Sequence, residues 1–518
     1  MEHTRRSRVW LYPLAVLGSI SLLWFTLLCS LDFLIFYELG QSFWTVLTTA
    51  AADEIQGTLG GLPEVVVAIL GIVITVVSII LQLSATRYTP RVTEMFFRDR
   101  TNLMVLSYFV VTATQCVWVS LAVRQKFIPP ILVISTLVLI TAAILVLIPY
   151  FIYVFHFLEP ERVVKRLQKR ALDQALGSHR GTTVEHRRAQ MLMGVEQLAD
   201  VAVNALSQKD RIIASRSIDA LRDLATSYLQ NKAQLSPQWY AISGALLENP
   251  DFVVMSPESV GDLNEQQIWL EWKILRQYQA IYNESVNRVV DICQLVAINT
   301  RYIGECAIRA NDRHVLRTTI KFFNTYLRSA INQKDVRTAY NVFHQYRQLA
   351  ESLLAENKHD DVVEVAGYFK YYGQIANGIG LSFVTETAAY DLSALCELAN
   401  TAPEFEAEEQ LLEILLDVDK TPETEAEERS LRGVRKAQIK LATHYLNTDH
   451  ERLARQIFQD MKDEQPERLS SIREELSLTQ DRDFWEVIDR GRNFDYLDPR
   501  RRAQLDTYFR WFDLPDPA

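Results

Sequence analysis

The sequence predicts an all-α protein: a four-helix transmembrane domain followed by a large cytoplasmic α-helical, solenoid-like domain. Two observations lead to this prediction. Long apolar segments lie only before residue 158, whereas residues 159–518 repeat apolar side chains at helical spacing without a segment that could span a membrane. The alternating pattern of a β-strand is not convincing anywhere in the chain. Helices therefore account for both parts of the predicted fold.

Four segments are predicted to cross the membrane. Each is close to or longer than the roughly 20 residues that a bilayer core requires. The first is too long for a signal peptide and has no small-residue cleavage pattern. Basic residues cluster before the first span, between the second and third, and after the fourth, so both termini are predicted to be cytoplasmic. The spans are expected at about residues 10–36, 62–85, 103–123 and 131–157.

The second span carries its polar and small residues on one stripe. Successive members lie four or three residues apart, which keeps them on one side of a helix. One interpretation is close packing of helices through small residues and hydroxyl groups. The other is a polar lining for ions, and an oligomer axis would satisfy both. The stripe consists of Glu64, Ala68, Gly71, Thr75, Ser78 and Gln82.

Four acidic residues near the predicted outer surface form a second candidate site. An acidic ring at a pore mouth concentrates cations, whereas the alternative is an ordinary solvated loop. The outer loop between the first and second spans also contains the flexible Gly57, Gly60 and Gly61. In the same loop, Phe43 and Trp44 predict a short interfacial helix. The candidate outer acidic rim is Asp32, Glu38, Asp53 and Glu54.

Basic residues between the second and third spans form a candidate inner elbow. Their expected role is to bind anionic headgroups below the bilayer. The alternative is an elbow that relays motion of the soluble domain to the polar stripe. In the fourth span, Pro149 predicts a kink, and the aromatic residues after it predict a belt at the inner interface. The elbow is Arg87, Arg91, Arg98 and Arg100, and the belt is Tyr150, Phe151, Tyr153, Phe155 and Phe157.

The linker between the second and third spans carries a recognisable pattern. The second span ends in Leu81-Gln82-Leu83-Ser84, and the linker contains Tyr88-Thr89-Pro90-Arg91 and Phe96-Phe97-Arg98-Asp99-Arg100. This pattern resembles the core of a family of predicted bacterial membrane proteins, a domain of unknown function with Leu-Gln-x-Ser, Tyr-x-Pro-Arg and Phe-x-x-Asp-Arg. The resemblance implies four N-terminal spans and a multi-pass protein of the bacterial plasma (inner) membrane. It implies no activity.

The soluble part is predicted to consist of helical hairpins joined by short turns. The array is expected at residues 159–464, and residues 465–518 are expected to form a helical tail that docks on the array or on a neighbouring subunit. Proline and glycine punctuate residues 230–265, which predicts an insertion or loop. The acidic residues 403–429 are expected to form a solvated helix face and linker.

An internal echo suggests that the soluble part contains repeats. The tripeptide Gln-Lys-Asp occurs at residues 208–210 and again at residues 333–335, a shift of 125 residues. Several further identities follow it at the same shift. A repeat of about 40 residues, as in helix-pair arrays, would fit three units into that distance.

Motifs for catalysis and ligand binding are nearly absent. The sequence has no phosphate-binding loop, no dinucleotide Gly-rich turn after a strand, no His-Glu-x-x-His and no paired Cys-x-x-Cys. Its five cysteines are scattered, which is typical of a reducing compartment, and a net charge of -10 argues against nucleic acid. We therefore expect no catalytic residue, no metal, no cofactor, no enzymatic activity and no nucleic-acid partner.

Two functions of different classes fit these features. In the first, the spans form a homo-oligomer around the second helix and conduct or transport ions, with the soluble domain as a vestibule or regulator. In the second, the spans anchor a helical scaffold that binds partner proteins. The polar stripe favours the first, whereas the large soluble domain favours the second. The expected partners are the lipid bilayer with its anionic headgroups, further copies of the chain, and a protein on the cytoplasmic domain.

Overall fold

The protein folds into two helical units, as seen in a computed structural model. The units are Met1–Val163 and Val164–Ala518. No strand occurs in the residues that the structure describes, and the prediction of an all-α fold is confirmed. The separation of a tail at residue 465 stays a prediction. The described residues are 19, 22–31, 34, 52–87, 96–97, 99–122, 130–177, 181–402, 407–419, 425–484, 490–491 and 493–512.

Within these residues, three helices of the first unit are long and apolar enough to cross a membrane. Their apolar stretches are Gly60–Gln82, Arg100–Ala122 and Ile131–Phe157. They correspond to the second, third and fourth predicted spans, whereas most of the first predicted span lies outside the described residues. The helices of this unit are α1 (Leu22–Leu31), α2 (Ala52–Arg87), α3 (Arg100–Ala122) and α4 (Pro130–Phe157).

Helix α2 begins at Ala52, well before the predicted second span. Gly57, Gly60 and Gly61 therefore lie inside a helix, and the prediction of a flexible loop was wrong from residue 52 onward. A glycine costs a helix only about 1 kcal/mol relative to alanine. Because an existing helix gains one hydrogen bond for each added residue that has a backbone N–H, the apolar span extends through all three glycines despite Pro63. The interfacial helix predicted at residues 43–47 lies outside the described residues.

The spans pack through apolar side chains. Val66 of α2, Cys116 of α3 and Ile140 of α4 share one buried cluster. Lipid tails are as apolar as these side chains, so close van der Waals contact rather than escape from water holds the helices together. A second cluster consists of Leu28, Val119 and Leu132.

The second unit is an array of helices joined by short turns. Helix α5 contains the boundary between the two units. In chain order the helices are α5 (Pro160–Leu176), α6 (Val184–Ser207), α7 (Arg211–Asn231), α8 (Pro237–Tyr240), α9 (Pro250–Val253), α10 (Pro257–Glu265), α11 (Trp269–Ser285), α12 (Val290–Arg309), α13 (Arg313–Asn332), α14 (Val336–Ala355), α15 (His359–Gly378), α16 (Ser382–Thr401), α17 (Glu408–Leu416), α18 (Glu425–Asn447), α19 (Glu451–Met461), α20 (Pro466–Leu478) and α21 (Pro499–Phe509).

The array repeats every 23 residues in its central part. Helices α12 to α16 contain 20 residues each and are separated by turns of three residues. Asn311, Lys334, Asn357 and Gly380 occupy equivalent positions of the four turns, with φ of 53°, 56°, 51° and 77°. A helix pair therefore spans twice this repeat, and the predicted period of about 40 residues was too short.

The Gln-Lys-Asp echo marks one type of turn rather than a whole number of repeats. In the second copy, the backbone N–H of Asp335 donates to Ala330 O at 2.9 Å, and its side chain accepts from the N–H of Thr338 at 2.9 Å. Asp210 makes the corresponding pair of bonds, at 2.8 and 3.1 Å. A residue with positive φ thus ends one helix, and the aspartate caps the next.

Alternate helices form two layers. One layer contains α7, α12, α14, α16 and α18, and the other contains α6, α11, α13, α15 and α17. Within the second layer, the hydroxyl of Tyr282 donates to Tyr326 O at 3.0 Å. Between the layers, Phe323 stacks on Tyr346 with ring centroids 4.7 Å apart. The core of the unit therefore lies between the two layers, as in helical-repeat arrays.

The predicted insertion at residues 230–265 folds as a series of short helical turns. Trp239 and Phe252 are buried in it. Lys273 of α11 is 1% exposed, and its ammonium group donates to Glu196 at 2.9 Å and to Asp251 at 2.5 Å. A buried cation requires such partners, so this ion cluster fixes the segment to the array.

Two further segments pack against the array. Helix α17 lies in the acidic stretch 403–429 and buries Leu411 and Leu415, so the expected solvated face is restricted to the other side of this helix. In the tail, the ring of Phe512 lies 4.7 Å from that of Phe458 on α19. Tyr508 is fully buried beside them.

Candidate functional site

The predicted stripe lies on a face of α2 that points away from the other described helices. The opposite face carries four residues that are at most 6% exposed: Val66, Val73, Val77 and Leu81. On the stripe itself Ser78 is half-buried, and the exposed members are Glu64, Ala68, Gly71, Thr75 and Gln82. Among the described residues, the apolar face of α2 is thus buried and its polar face is left open.

Two members of the stripe pack against no other helix in the part of the chain that the structure describes. The hydroxyl of Thr75 donates to Gly71 O at 2.8 Å, so its hydrogen bond is satisfied by its own helix. A Cβ placed on Gly71 would meet no atom within 4 Å. A glycine that no neighbour requires leaves room for a close approach by another helix.

The stripe is nearly as long as the hydrocarbon core of a bilayer is thick. From Glu64 to Gln82 it covers about 27 Å at a rise of 1.5 Å per residue, close to the roughly 30 Å of a hydrocarbon core. A carboxylate or an amide that faces lipid tails without a partner costs several kcal/mol by order of magnitude. The stripe therefore requires water or a further protein surface beside it.

The acidic rim is described only in part. Asp53 and Glu54 lie in the first turn of α2 rather than in a loop, and nothing of their side chains is described. Asp32 and Glu38 lie outside the described residues. The acidic rim therefore stays a prediction.

The basic elbow is described at its two ends. Arg87 is the last residue of α2, and Arg100 is the exposed first residue of α3. Arg91 and Arg98 lie outside the described residues. The role of these four arginines stays a prediction.

A polar network beside the elbow was not predicted. Asp99 caps α3, since its side chain accepts from the N–H of Thr101 at 3.0 Å, and it also accepts from the hydroxyl of Tyr153. Three residues after Asp99, the buried Asn102 accepts from the hydroxyl of Tyr150 at 2.5 Å and donates to Phe96 O at 3.3 Å. Residues of the Phe-x-x-Asp-Arg pattern, together with Asn102, thus connect the start of α3 to the end of α4 through hydrogen bonds.

This network corrects the predicted aromatic belt. Tyr150 and Phe157 are 2% and 3% exposed, and the ring of Phe157 packs edge-on against Phe96 at 5.2 Å. Helix α4 continues as one helix through Pro149, which places residues 150, 153 and 157 on one inward face. Of the five predicted residues, Phe155 is the one with a strongly exposed ring, 62%. The hydroxyls point inward because Asn102 and Asp99 offer partners there.

A second unpredicted feature is the buried amide of Gln115 on α3. The residue is fully buried, and neither atom of its amide group has a hydrogen-bond partner in the part of the chain that the structure describes. An amide without a partner inside an apolar span is energetically unfavourable, so Gln115 is a candidate functional residue. The signal was present in the sequence, as a single glutamine between two apolar stretches of the third span.

Titratable side chains do not assemble into a metal site in the described residues. No group of three or more His, Cys, Asp or Glu side chains is placed to hold an ion there. All five cysteines are free thiols.

The membrane helices and the linker pattern lie in a segment, residues 6–193, that matches a known family model. That model describes the family Predicted membrane protein (DUF2254), to which residues 6–193 of the chain are similar. The resemblance inferred from the linker is thereby confirmed. The DUF2254 match covers the described spans and ends within α6, and the remainder of the array lies outside it.

Other comparisons add little to the DUF2254 match. No curated protein matches the chain. A solved structure titled "Circular tandem repeat protein with novel repeat topology and enhanced subunit contact surfaces" aligns with 82% of this chain and 97% of its own, at 14% identity and a TM-score of 0.36. A TM-score this low does not establish a common fold.

Proposed function

We propose that the protein forms a homo-oligomer in the membrane and conducts or transports an ion along a path lined by α2. The observation that carries the proposal is the exposed polar stripe from Glu64 to Gln82. Helix α2 packs Val66 and Val73 against the other described spans and leaves its polar face exposed. Exposing this polar face to lipid alone would be energetically unfavourable. Copies of the stripe around a common axis would give it both a protein surface and water.

The proposal includes an arrangement for the rest of the chain. The protein lies in the bacterial inner membrane with both termini in the cytoplasm, and the second unit acts as a vestibule or regulator. Arginines such as Arg87 and Arg100 contact anionic headgroups. We propose no catalytic role, since the sequence carries no motif for one.

Disulfide crosslinking between copies tests the oligomer. In a background without the five native cysteines, Gly71→Cys and Thr75→Cys place thiols on the stripe. Ile72 is a matched control, because it is also exposed but points about 100° away from Gly71 around the helix. Val73→Cys is a buried control.

Thiols on the stripe should give crosslinked dimers in native membranes, and the two controls should not. This result is expected because a small-residue stripe brings partner backbones close enough for a disulfide. Equal crosslinking at all four positions, or crosslinking at Ile72 alone, contradicts an interface on the stripe.

A membrane-anchored scaffold is the second candidate. The observation that favours it is the two-layer array of the second unit, since arrays of this kind present extended surfaces to partner proteins. A scaffold would show no ion flux and would retain its partners when Gln82 is replaced by leucine.

A further inference from the structure

Part of the connection between α20 and α21 lies across three helices of one layer. We call residues 490–495 the strap; Arg492 within it is outside the described residues. The surface that receives it, the groove, is formed by α14, α16 and α18, which are successive helices of the same layer.

The first anchor of the strap is Arg490. Its guanidinium donates to both carboxylate oxygens of Asp391, at 2.7 and 3.1 Å, and to Tyr340 O at 2.6 Å. It also lies 4.1 Å from the centre of the Tyr340 ring. Both charged side chains are almost fully buried, so this pair is dehydrated and specific for a planar cation.

The second anchor is Phe494. Its ring stacks on Tyr390 with centroids 4.6 Å apart, and Tyr340 and Phe383 complete the pocket at 6.1 and 6.4 Å. The ammonium group of Lys440 donates to Phe494 O. Burial lowers the pKa of Lys440 to about 8.

The third anchor is Asp495. Its carboxylate accepts from Lys436 at 2.9 Å and from the hydroxyl of Tyr390 at 2.8 Å. Burial alone would raise the pKa of Asp495, but the ammonium group of Lys436 lowers it. The groove therefore recognises three chemically distinct groups in a fixed order: a cation, an aromatic ring and a carboxylate.

An empty groove would be unstable in its present form. Asp391 would keep Arg347, 3.1 Å away, but would lose its two bonds from Arg490. The aromatic pocket and Lys436 would lose their partners at the same time. A buried charge without its partner is strongly destabilising, so the groove requires an occupant of matching chemistry.

We propose that this groove is a recognition site for a partner protein segment that presents arginine followed four residues later by Phe-Asp, and that the strap occupies it as a built-in competitor. An extended segment in a groove of a helical array is an established mode of peptide recognition. The described residues of the strap form no helix or strand, and their side chains make most of the contacts with the groove. A partner with the same three groups replaces the side-chain bonds that Arg490 and Asp495 make to the groove.

A peptide with the sequence of residues 489–497 tests the proposal on the full chain in detergent. The opened variant combines Arg490→Ala and Phe494→Ala, and the labelled peptide is titrated by fluorescence anisotropy. The opened variant should bind at least about tenfold more tightly than the wild type, whose groove is occupied. Adding Asp391→Asn should weaken binding again by about tenfold, because the amide keeps the shape but removes the charge.

A second measurement avoids any variant of the protein. Excess unlabelled peptide should speed hydrogen exchange at the amides of residues 493–495 in the wild type, whereas a peptide with Phe replaced by Ala should not. No binding by a folded opened variant, equal binding by wild type and opened variant, or unchanged exchange in the wild type overturns the proposal.

Discussion

The hydroxyl of Tyr150 donates to the side-chain oxygen of Asn102 at 2.5 Å, and both side chains are at most 2% exposed. The bond joins the end of α4 to the start of α3 beside the linker pattern. Each group would otherwise be a buried polar atom at the edge of the bilayer. The bond therefore fixes where the two helices meet, and Asn102 also ties Phe96 to this junction.

Tyr150→Phe should destabilise the membrane unit by about 0.6–2 kcal/mol, because it leaves Asn102 with an unsatisfied oxygen. Thermal unfolding of the purified protein in detergent measures the change. Phe155→Leu on the exposed side of the same helix is the matched control and should leave the transition unchanged. Equal effects of the two substitutions would mean that the hydrogen bond contributes nothing specific.

Gly194→Ala should destabilise the second unit by about 1–3 kcal/mol, because overpacking forces helices apart. A Cβ at this position would lie 2.6 Å from the Cβ of Ala171 on α5. Gly367→Ala, within α15, is the control. A Cβ there would meet no atom within 4 Å, so this change should stabilise by about 0.5–1 kcal/mol. Thermal unfolding followed by far-UV circular dichroism measures the stability of both variants. An unchanged melting temperature of Gly194→Ala would show that α5 and α6 are not tightly packed.

His344 predicts a pH dependence of stability. Burial, followed by the charges of Arg490 and Arg347, lowers its pKa to about 4. Between the ordinary pKa near 6.5 and a value near 4, the unfolded chain binds a proton that the folded chain does not, so stability falls as pH falls through this window. The melting temperature of the wild type should therefore drop more between pH 7 and pH 4.5 than that of His344→Gln. Parallel curves would show that His344 does not titrate differently on folding.

The sequence predicted where helices lie and which residues share a face, but it did not predict which other helices those faces contact. The four-three spacing of Gly71, Thr75 and Ser78 located a face of α2, because helical periodicity is a local property. It could not show that Val73 faces the other spans while the stripe stays open, since this depends on residues of α3 and α4. Similarly, the aromatic residues after Pro149 are typical of an interfacial belt, and only the position of Asn102, 48 residues away, turns Tyr150 inward.

The repeat was harder to predict than the helices for a different reason. The turns are alike in backbone, but different residue types occupy the position with positive φ: Lys334, Asn357 and Gly380. Asparagine and glycine tolerate this conformation readily, and lysine does so at modest cost. Sequence identity therefore marks only the turns that also share a capping aspartate, and the 23-residue repeat is visible in the structure alone.

The charge distribution predicts the topology of the membrane unit. Basic residues flank the predicted inner ends of the spans, so both termini should be cytoplasmic and residue 55 should be outside. Reporter fusions at residue 55 and at the C-terminus measure this. Alkaline phosphatase should be active only at residue 55, and an active fusion at the C-terminus would reverse the orientation and remove the second unit from the cytoplasm.

Ion flux through liposomes containing the purified protein tests the central claim most directly. If the α2 stripe lines a path, the wild type should conduct ions, and Gln82→Leu should abolish the flux while the crosslinked oligomer still forms. The control Ile72→Leu, on an exposed apolar part of the same helix, should conduct like the wild type. Loss of flux at Gln82 alone is the result that the account predicts. Absence of flux from the wild type under every gradient tested, or undiminished flux from Gln82→Leu, would contradict it.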